Sequence, residues 1–278
     1  MFPFTDGQKR RLLELGAAPS ACEAEFEDAA ASDRRFKALE KELVSASKRR
    51  LGDLREGSRR PALLVLQSEV ECALREEGFV QVSTPVILAK RMLERMSIGD
   101  GHALSSQVFW LEDDRCLRPM LAPNLYSVST DLMRIWEKPI RIFEIGPCFR
   151  KESQGNRHLN EFTMCNLVEW GTPEEARADR LRQLARVVMS AAGIDGCDLE
   201  ETDSEVYGPS LDVVWRGMEL ASGNIGPHFL DANWGIRSTW VGLGFGLERL
   251  LMARQKTNNI HSVGKSLSYL DGVRLRIN

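Results

Sequence analysis

The sequence predicts an α+β protein, an antiparallel sheet flanked by helices and preceded by a helical extension. Three features carry that expectation. Ile140–Arg150 and Phe162–Trp170 are runs of strand-forming residues on either side of a polar, glycine-containing segment, the pattern of an antiparallel hairpin with a long loop. Gly242, Gly244 and Gly246 recur at period two just before a helix-forming run that starts near Leu247, so one face of a strand is bare of side chains. Residues 6–56 and 61–77 instead space apolar side chains among charges, as amphipathic helices do.

From the N-terminus, Leu12, Leu15, Phe26, Phe36, Leu39, Leu43 and Leu54 are the apolar positions of the extension. Gly16 and Pro19 break its first helix from the next, and Gly57–Ser58 ends the basic section. Pro61 suits the first turn of the following helix and Gly78 its C-terminal stop. The run FVQVSTP reads as a strand closing at Pro85, whose missing N–H suits a strand end. Short strands at Val108–Leu111 and Cys116–Arg118 come next, then a helix from Ala122 or Pro123 with Leu125, Tyr126, Leu132 and Met133 on its buried faces. After the hairpin, Thr172 with Glu175 three residues on reads as a capping box for a helix through Leu181, Leu184 and Val188 to Gly193. Strands resume at Asp198–Glu201, Ser210–Trp215 and Met218–Ala221.

Alternation along the hairpin sends Phe143, Ile145 and Phe149 to an apolar side. The opposite side carries Glu144, Arg150 and Glu152 on one arm and Phe162, Met164, Asn166 and Val168 on the other. An arginine fork suits phosphate and a phenyl ring suits a base, so this face reads either as a floor for a polar ligand with a flat ring or as a solvated sheet face. A dinucleotide-binding loop is excluded for the glycine strand, because too little chain follows to hold the acidic ribose partner. A kinase loop is excluded by the absence of its lysine strand and catalytic loop.

Composition is that of an ordinary globular chain, 43% hydrophobic and 28% charged over 278 residues, with a formal net charge of −3. Residues 34–60 hold ten Lys or Arg against four acids, a surplus of six, which leaves −9 on the remainder. A basic stripe on an otherwise acidic chain suits a nucleic-acid backbone, and a solvated helix face is the plain alternative. The six cysteines are scattered, with no metal-ligand spacing, and read as small apolar residues of a reducing compartment. The start MFPFTDGQKRR reads as lacking a secretory leader, and no apolar run approaches the ~20 residues that span a bilayer, so the expected location is cytoplasmic.

F-R-K-E at 149–152 with H-L-N-E-F-T-M at 158–164 resembles the second signature of the class II aminoacyl-tRNA synthetases, and G-L-G-F-G-L-E-R-L-L resembles the third. The helix and strand ending at Pro85 look like the first, which in that class builds a dimer interface. Within the class, LRPMLAPNLY, IFEIGPCFRKES and MELASG are similar to the pyrrolysine-specific family, in the form lacking a fused N-terminal tRNA-binding domain. The resemblance implies the class II catalytic fold over 61–278, with a helical insertion at about 172–197 and a tRNA-contacting extension over 1–60. It also implies a homodimer that binds ATP and Mg²⁺, attaches pyrrolysine or an analogue to the pyrrolysine tRNA, and has no membrane partner.

Carried over position by position, Arg150 binds the ATP α-phosphate, Glu152 reads the adenine amino group and Phe162 stacks on adenine. Arg249 covers the other side and touches the γ-phosphate. His158, in the hairpin loop, either contacts phosphate or caps the loop, Leu159 completes the nucleotide site, and Glu219 and Ser222 hold Mg²⁺, to which hard oxygen donors are suited. The amino-acid pocket takes Leu121, Ala122, Leu125 and Tyr126 from the helix, Asn166 and Val168 from the hairpin, and Tyr207, Asn224, Trp240 and Gly242 from further along. In the resemblance Asn166 recognises a side-chain carbonyl of the substrate and Tyr207 belongs to a capping loop. The chain departs from the family at Val128, Ser129, Val168 and Asn224, which alters the size and polarity of the pocket, and at Phe149. Two alternatives stand beside a tRNA ligase: an adenylate-forming ligase with another amino acid or acceptor, and an inactive tRNA-binding paralogue.

Overall fold

The computed structural model describes residues 1–112, 114–151, 158–204 and 206–277. The chain divides into two compact units, Met1–Leu64 with His261–Asn278, and Val65–Ile260. Residues 261–278 therefore pack with the N-terminal helices, whereas the sequence reading places them in the catalytic domain. Their apolar side chains explain the difference, because Val273 and Ile277 bury against Leu15, with Leu43, Val44 and Leu51 alongside.

In the first unit, helix α1 (Asp6–Glu14) begins at a capping box in which Thr5 Oγ1 accepts the Gln8 N–H at 3.2 Å and Gln8 Oε1 accepts the Thr5 N–H at 2.9 Å. Helix α2 (Ala29–Arg55) is capped by Asp28, whose Oδ1 accepts the Ala31 N–H at 2.6 Å. Gly57 follows it in the left-handed region at φ +75°. Of the ten basic residues of 34–60, Arg50 and Arg59 are half-buried, and they hold Asp271 through its backbone oxygen at 2.6 Å and its Oδ2 at 2.7 Å. The other eight are exposed. Strands Phe2–Pro3 and Glu25–Phe26 also pair here, too short to leave a periodic pattern.

The second unit begins within helix α3 (Ala62–Glu76), which buries Leu66, Val70 and Leu74 on one stripe. Its centre is a seven-stranded sheet of β1 (Val80–Gln81), β2 (Ile140–Phe149), β3 (Glu161–Trp170), β4 (Asp198–Ser204), β5 (Gly208–Trp215), β6 (Met218–Gly226) and β7 (Trp240–Gly246). The spatial order is β1-β2-β3-β7-β6-β5-β4. Every neighbouring pair is antiparallel except β1 with β2, which is parallel. That exception departs from the purely antiparallel expectation, because a long connection, unlike a tight turn, lets an edge strand join in either direction. A three-stranded sheet, Ile87–Ala89, Arg115–Leu117 and Trp110–Leu111, and the five-residue helices Lys90–Glu94 and Ala103–Gln107 occupy that connection.

Helix α4 (Ala122–Leu132) opens with proline in its first turn. Helix α5 (Arg177–Ala191) lies on the back of the sheet, where a Cβ at Gly223 would sit 3.3 Å from Leu181 Cδ1. Its start differs from the predicted capping box. Thr172 is buried and donates its hydroxyl to Glu169 Oε1 at 3.0 Å, and the helix begins at Arg177 without a side-chain cap. Glu169 draws the hydroxyl inward, as it draws Arg141 at 2.7 Å and Arg180 at 2.8 Å, and Arg180 continues to Glu77 at 3.0 Å. This cluster ties β2, β3, α5 and the residue that follows α3 together. Helix α6 (Leu247–Gln255) leaves the end of β7 directly.

Candidate active site

One cavity of about 500 Å³ opens on the front of the sheet, and every residue that lines it belongs to the second unit. Its floor is a set of cross-strand rows. Met164 faces Gly246, Asn166 faces Gly244 and then Ser222, and Val168 faces Gly242 and then Asn224. β7 contributes only glycines to these rows, so side chains of β3 and β6 reach toward each other over its backbone, with the Trp240 ring lying against Gly242, 3.3 Å from where a Cβ would sit. The expected stripped strand is therefore the middle of the floor.

The end of the floor near α6 is polar. Arg150 is steered by its Nε, which donates to Pro119 O at 2.9 Å, and its guanidinium lies 5.4 Å from the centroid of the Phe162 ring. Arg249 donates to Glu219 O at 3.1 Å and stands 3.2 Å from Glu219 Oε2. This partly exposed pair is screened by water, so its carboxylate and guanidinium can exchange partners at little cost. Glu248 is buried, and both its carboxylate oxygens lie 2.9 Å from the Thr163 N–H, which fixes α6 to β3 beside Phe162. His158 and Leu159 line the same end. Glu152 lies outside the described residues.

Glu219 and Ser222 share this wall with Asp212, the cross-strand partner of Ser222. Asp212 Oδ1 is buried without a hydrogen-bond partner among the described residues. A carboxylate, a hydroxyl and an unsatisfied carboxylate oxygen form a hard donor set that fits Mg²⁺. No group of three or more His, Cys, Asp or Glu able to hold a metal occurs among the described residues, so phosphate and water oxygens must supply the rest of such an ion's shell.

The other end is aromatic. Tyr126 stacks on Trp234 at 5.4 Å between centroids and meets the edges of Trp170 at 5.5 Å and Trp240 at 6.2 Å. Buried Asp231 organises the group, accepting the Tyr126 hydroxyl at 2.8 Å, the Trp240 indole N–H at 2.9 Å and the His228 backbone N–H at 2.6 Å. Burial, followed by Tyr207 and Asp231, pushes the Tyr126 hydroxyl pKa far above its usual value, so it stays a donor. Burial likewise raises the Tyr207 hydroxyl, with Asp231 adding to the effect. Tyr207 is held through its backbone oxygen, 2.7 Å from His228 Nε2.

Arg150, His158, Leu159, Phe162, Glu219, Ser222 and Arg249 thus gather at one end of the cavity. Ala122, Leu125, Tyr126, Asn166, Val168, Tyr207, Asn224, Trp240 and Gly242 line the remainder. Leu121 is fully buried and is not on the wall. Val128 and Ser129 are not on it either. Ser129 Oγ accepts the Trp170 indole N–H at 2.8 Å, and Trp170 stands in the cavity wall instead. Glu144 does lie on the front face, but its carboxylate is consumed by buried Arg118 at 2.7 Å and the Thr84 hydroxyl at 2.5 Å.

Trp170, Asp231 and Glu248 escaped the sequence reading. Extending the strand alternation two residues beyond Val168 finds Trp170. Asp231 carries no local signal, since its three partners are distant or main-chain groups, and Glu248 looks like any acid in a first helical turn.

Residues 51–271 match the family model described as the tRNA synthetases class II core domain (F). A crystal structure of pyrrolysyl-tRNA synthetase from Desulfitobacterium hafniense superposes with a TM-score of 0.93 at 55% identity, covering 100% of this chain and 99% of that one. A second structure from the same organism, described as PylSc, a pyrrolysyl tRNA synthetase, gives 0.89 at 54% identity over 99% and 96%. Among curated proteins, threonine–tRNA ligase of Anaplasma marginale (strain Florida) is 26% identical over 165 residues, 56% of this chain and 26% of that protein. O-phosphoserine–tRNA(Cys) ligase of Methanospirillum hungatei is 29% identical over 147 residues, 46% and 26%. The chain thus spans about a quarter of the length of these curated relatives.

Proposed function

The chain belongs to the class II tRNA synthetases and, within them, to the pyrrolysyl-tRNA synthetase family, and from that premise we propose that it activates pyrrolysine or a related amino acid with ATP and transfers it to the 3′ end of its cognate tRNA. One observation carries this reading. Strand β3 runs through both halves of the cavity, with Phe162 at the polar end and Asn166, Val168 and Trp170 toward the aromatic end.

In the proposed mechanism, Phe162 stacks on adenine and Arg249 lies over its other side, reaching the γ-phosphate. Arg150 binds the α-phosphate and stabilises the charge that builds as the amino acid carboxylate attacks phosphorus and pyrophosphate leaves. Glu219 and Ser222 would hold Mg²⁺, which would neutralise phosphate charge. The terminal ribose hydroxyl of tRNA then attacks the adenylate carbonyl, and AMP departs. No protein nucleophile takes part. Fixing both reactants on one rigid sheet is the kind of positioning that supplies ~7–11 kcal/mol.

The exposed basic residues of α2 are the proposed tRNA contact, and a second copy of the chain the proposed partner. Unpaired thiols at all six cysteines suit a reducing cytoplasm, and no described helix is long and apolar enough to cross a membrane. The test is amino-acid-dependent ATP–pyrophosphate exchange across a side-chain panel, followed by an assay for acylated tRNA. Exchange and charging with the same amino acid are expected. No exchange with any amino acid rejects the reading, and exchange without charging moves the acyl group to another acceptor.

A further inference from the structure

Glu248 takes no part in the chemistry proposed above, although it stands in the cavity wall. An acid in the first turn of a helix ordinarily stands in solvent, where it complements the helix dipole. Glu248 is instead 1% exposed. Burying a carboxylate is costly unless hydrogen bonds satisfy it, so what this one holds is informative.

It holds the sheet at the point where the ladder runs out. Strand β7 pairs with β3 as far as Gly246, opposite Met164, and the chain then turns into α6. The next residue of β3 in that direction, Thr163, therefore has no β7 partner. The Glu248 carboxylate takes that place, with both oxygens 2.9 Å from the Thr163 N–H. Phe162 immediately precedes Thr163, and Arg249 immediately follows Glu248. Both line the cavity, Arg249 with its stem 3.8 Å from where a Cβ of Gly246 would sit. A shift at either end of the bond therefore moves Phe162 or Arg249 relative to the other.

Resting on the reading of this end of the cavity as the adenine site, we propose that Glu248 is a positioning residue that sets the width of the slot between Phe162 and Arg249, and so governs affinity for the base of the nucleotide while leaving the amino acid site alone. A flat ring gains from a face on each side only near contact distance, and a slot about 0.5–1 Å too wide forfeits roughly a quarter to a half of that attraction. The bond between Arg249 and Glu219 does not fix the slot, because both side chains are partly exposed and water screens the pair. The Glu248 anchor is buried and ends on main chain, so it moves only if β3 or α6 moves.

The experiment measures ATP–pyrophosphate exchange by wild type, Glu248→Ala and Glu248→Gln, varying ATP at saturating amino acid and the reverse, with folding followed by circular dichroism. Glu248→Ala is expected to raise the KM for ATP on the order of tenfold to a hundredfold, the effect of losing a stacking partner of a base, and to leave the KM for the amino acid near its wild-type value. Glu248→Gln keeps an acceptor oxygen at the same reach and should restore most of that loss. A role confined to holding the fold together raises both KM values alike, and that result overturns the inference. An unchanged KM for ATP in folded Glu248→Ala overturns it too, as does a Glu248→Gln as impaired as Glu248→Ala, which assigns the effect to charge. Should Glu248→Ala fail to fold, Glu248→Asp, one methylene shorter, decides in its place: a raised KM for ATP alone supports the inference, and KM values that both stay or both rise overturn it. Exchange with no amino acid by the wild-type protein rejects the ligase reading itself, a distinguishable result.

Discussion

At the scale of the residue, Asp231 and Glu169 show how buried carboxylates hold the site in place. Replacing Asp231 by alanine strands two buried donors, the Tyr126 hydroxyl and the Trp240 N–H, at about 1–3 kcal/mol each. Urea denaturation of Asp231→Ala should show a loss of about that size for each donor, and exchange kinetics should show a higher KM for the amino acid than for ATP relative to wild type. Glu169 makes a pH-dependent contribution. Burial alone would raise its pKa, but hydrogen bonds and charge from Arg180 and Arg141 outweigh burial and hold it below the ordinary 4.5. A depressed folded pKa stabilises the protein above the unfolded value, and that stabilisation fades as pH falls through the folded value. Glu169→Gln should therefore be less stable than wild type at pH 7, with the gap in urea titrations closing as pH falls below the ordinary glutamate range. Arg150→Ala should abolish exchange while leaving the circular dichroism spectrum unchanged, since Arg150 is on the cavity wall and its Nε bond to Pro119 O is replaceable by water.

At the scale of the element, β3 and β7 together form most of the floor, and their registers decide which side chains meet. A valine at Gly244 would press on Asn166, since even a Cβ there lies 3.1 Å from its Nδ2. Valine is a good strand residue, so Gly244→Val should stay folded yet raise the KM for the amino acid roughly tenfold or more, measured by exchange. Both strands were legible in the sequence because their signals are local: alternation for β3, glycines at period two for β7. Helix α6 was legible for the same reason. The parallel edge strand and the reassigned role of Thr172 were not, because each is decided by a partner far away in the chain. The site divides along the same line. Residues within signature motifs could be placed in advance, whereas Trp170, Asp231 and Glu248 owe their roles to contacts that only the folded chain creates.

At the scale of the molecule, charge and backbone spacing set the terms for the substrates. The exposed Arg34, Lys37, Lys41, Lys48, Arg49 and Arg55 fall within about 120° of arc around α2, a continuous basic face. Reversing Arg34, Lys41 and Lys48 to glutamate should raise the KM for tRNA and flatten its salt dependence by roughly three contacts, with exchange unaffected, as read from charging assays at several salt concentrations. The sheet imposes a constraint of another kind. Its rows recur about every 6.7 Å, so the Met164–Gly246 row and the Trp170–Trp240 row stand about 20 Å apart, a distance written in peptide bonds. Side-chain substitutions can change what is recognised at a row, but none can move the rows. The floor therefore works as a fixed ruler for chain length. In a homologous series of amino acids with one terminal group, members a methylene too short or too long should still bind, yet hold the carboxylate off its line to phosphorus, so that kcat peaks sharply at one length while KM changes little.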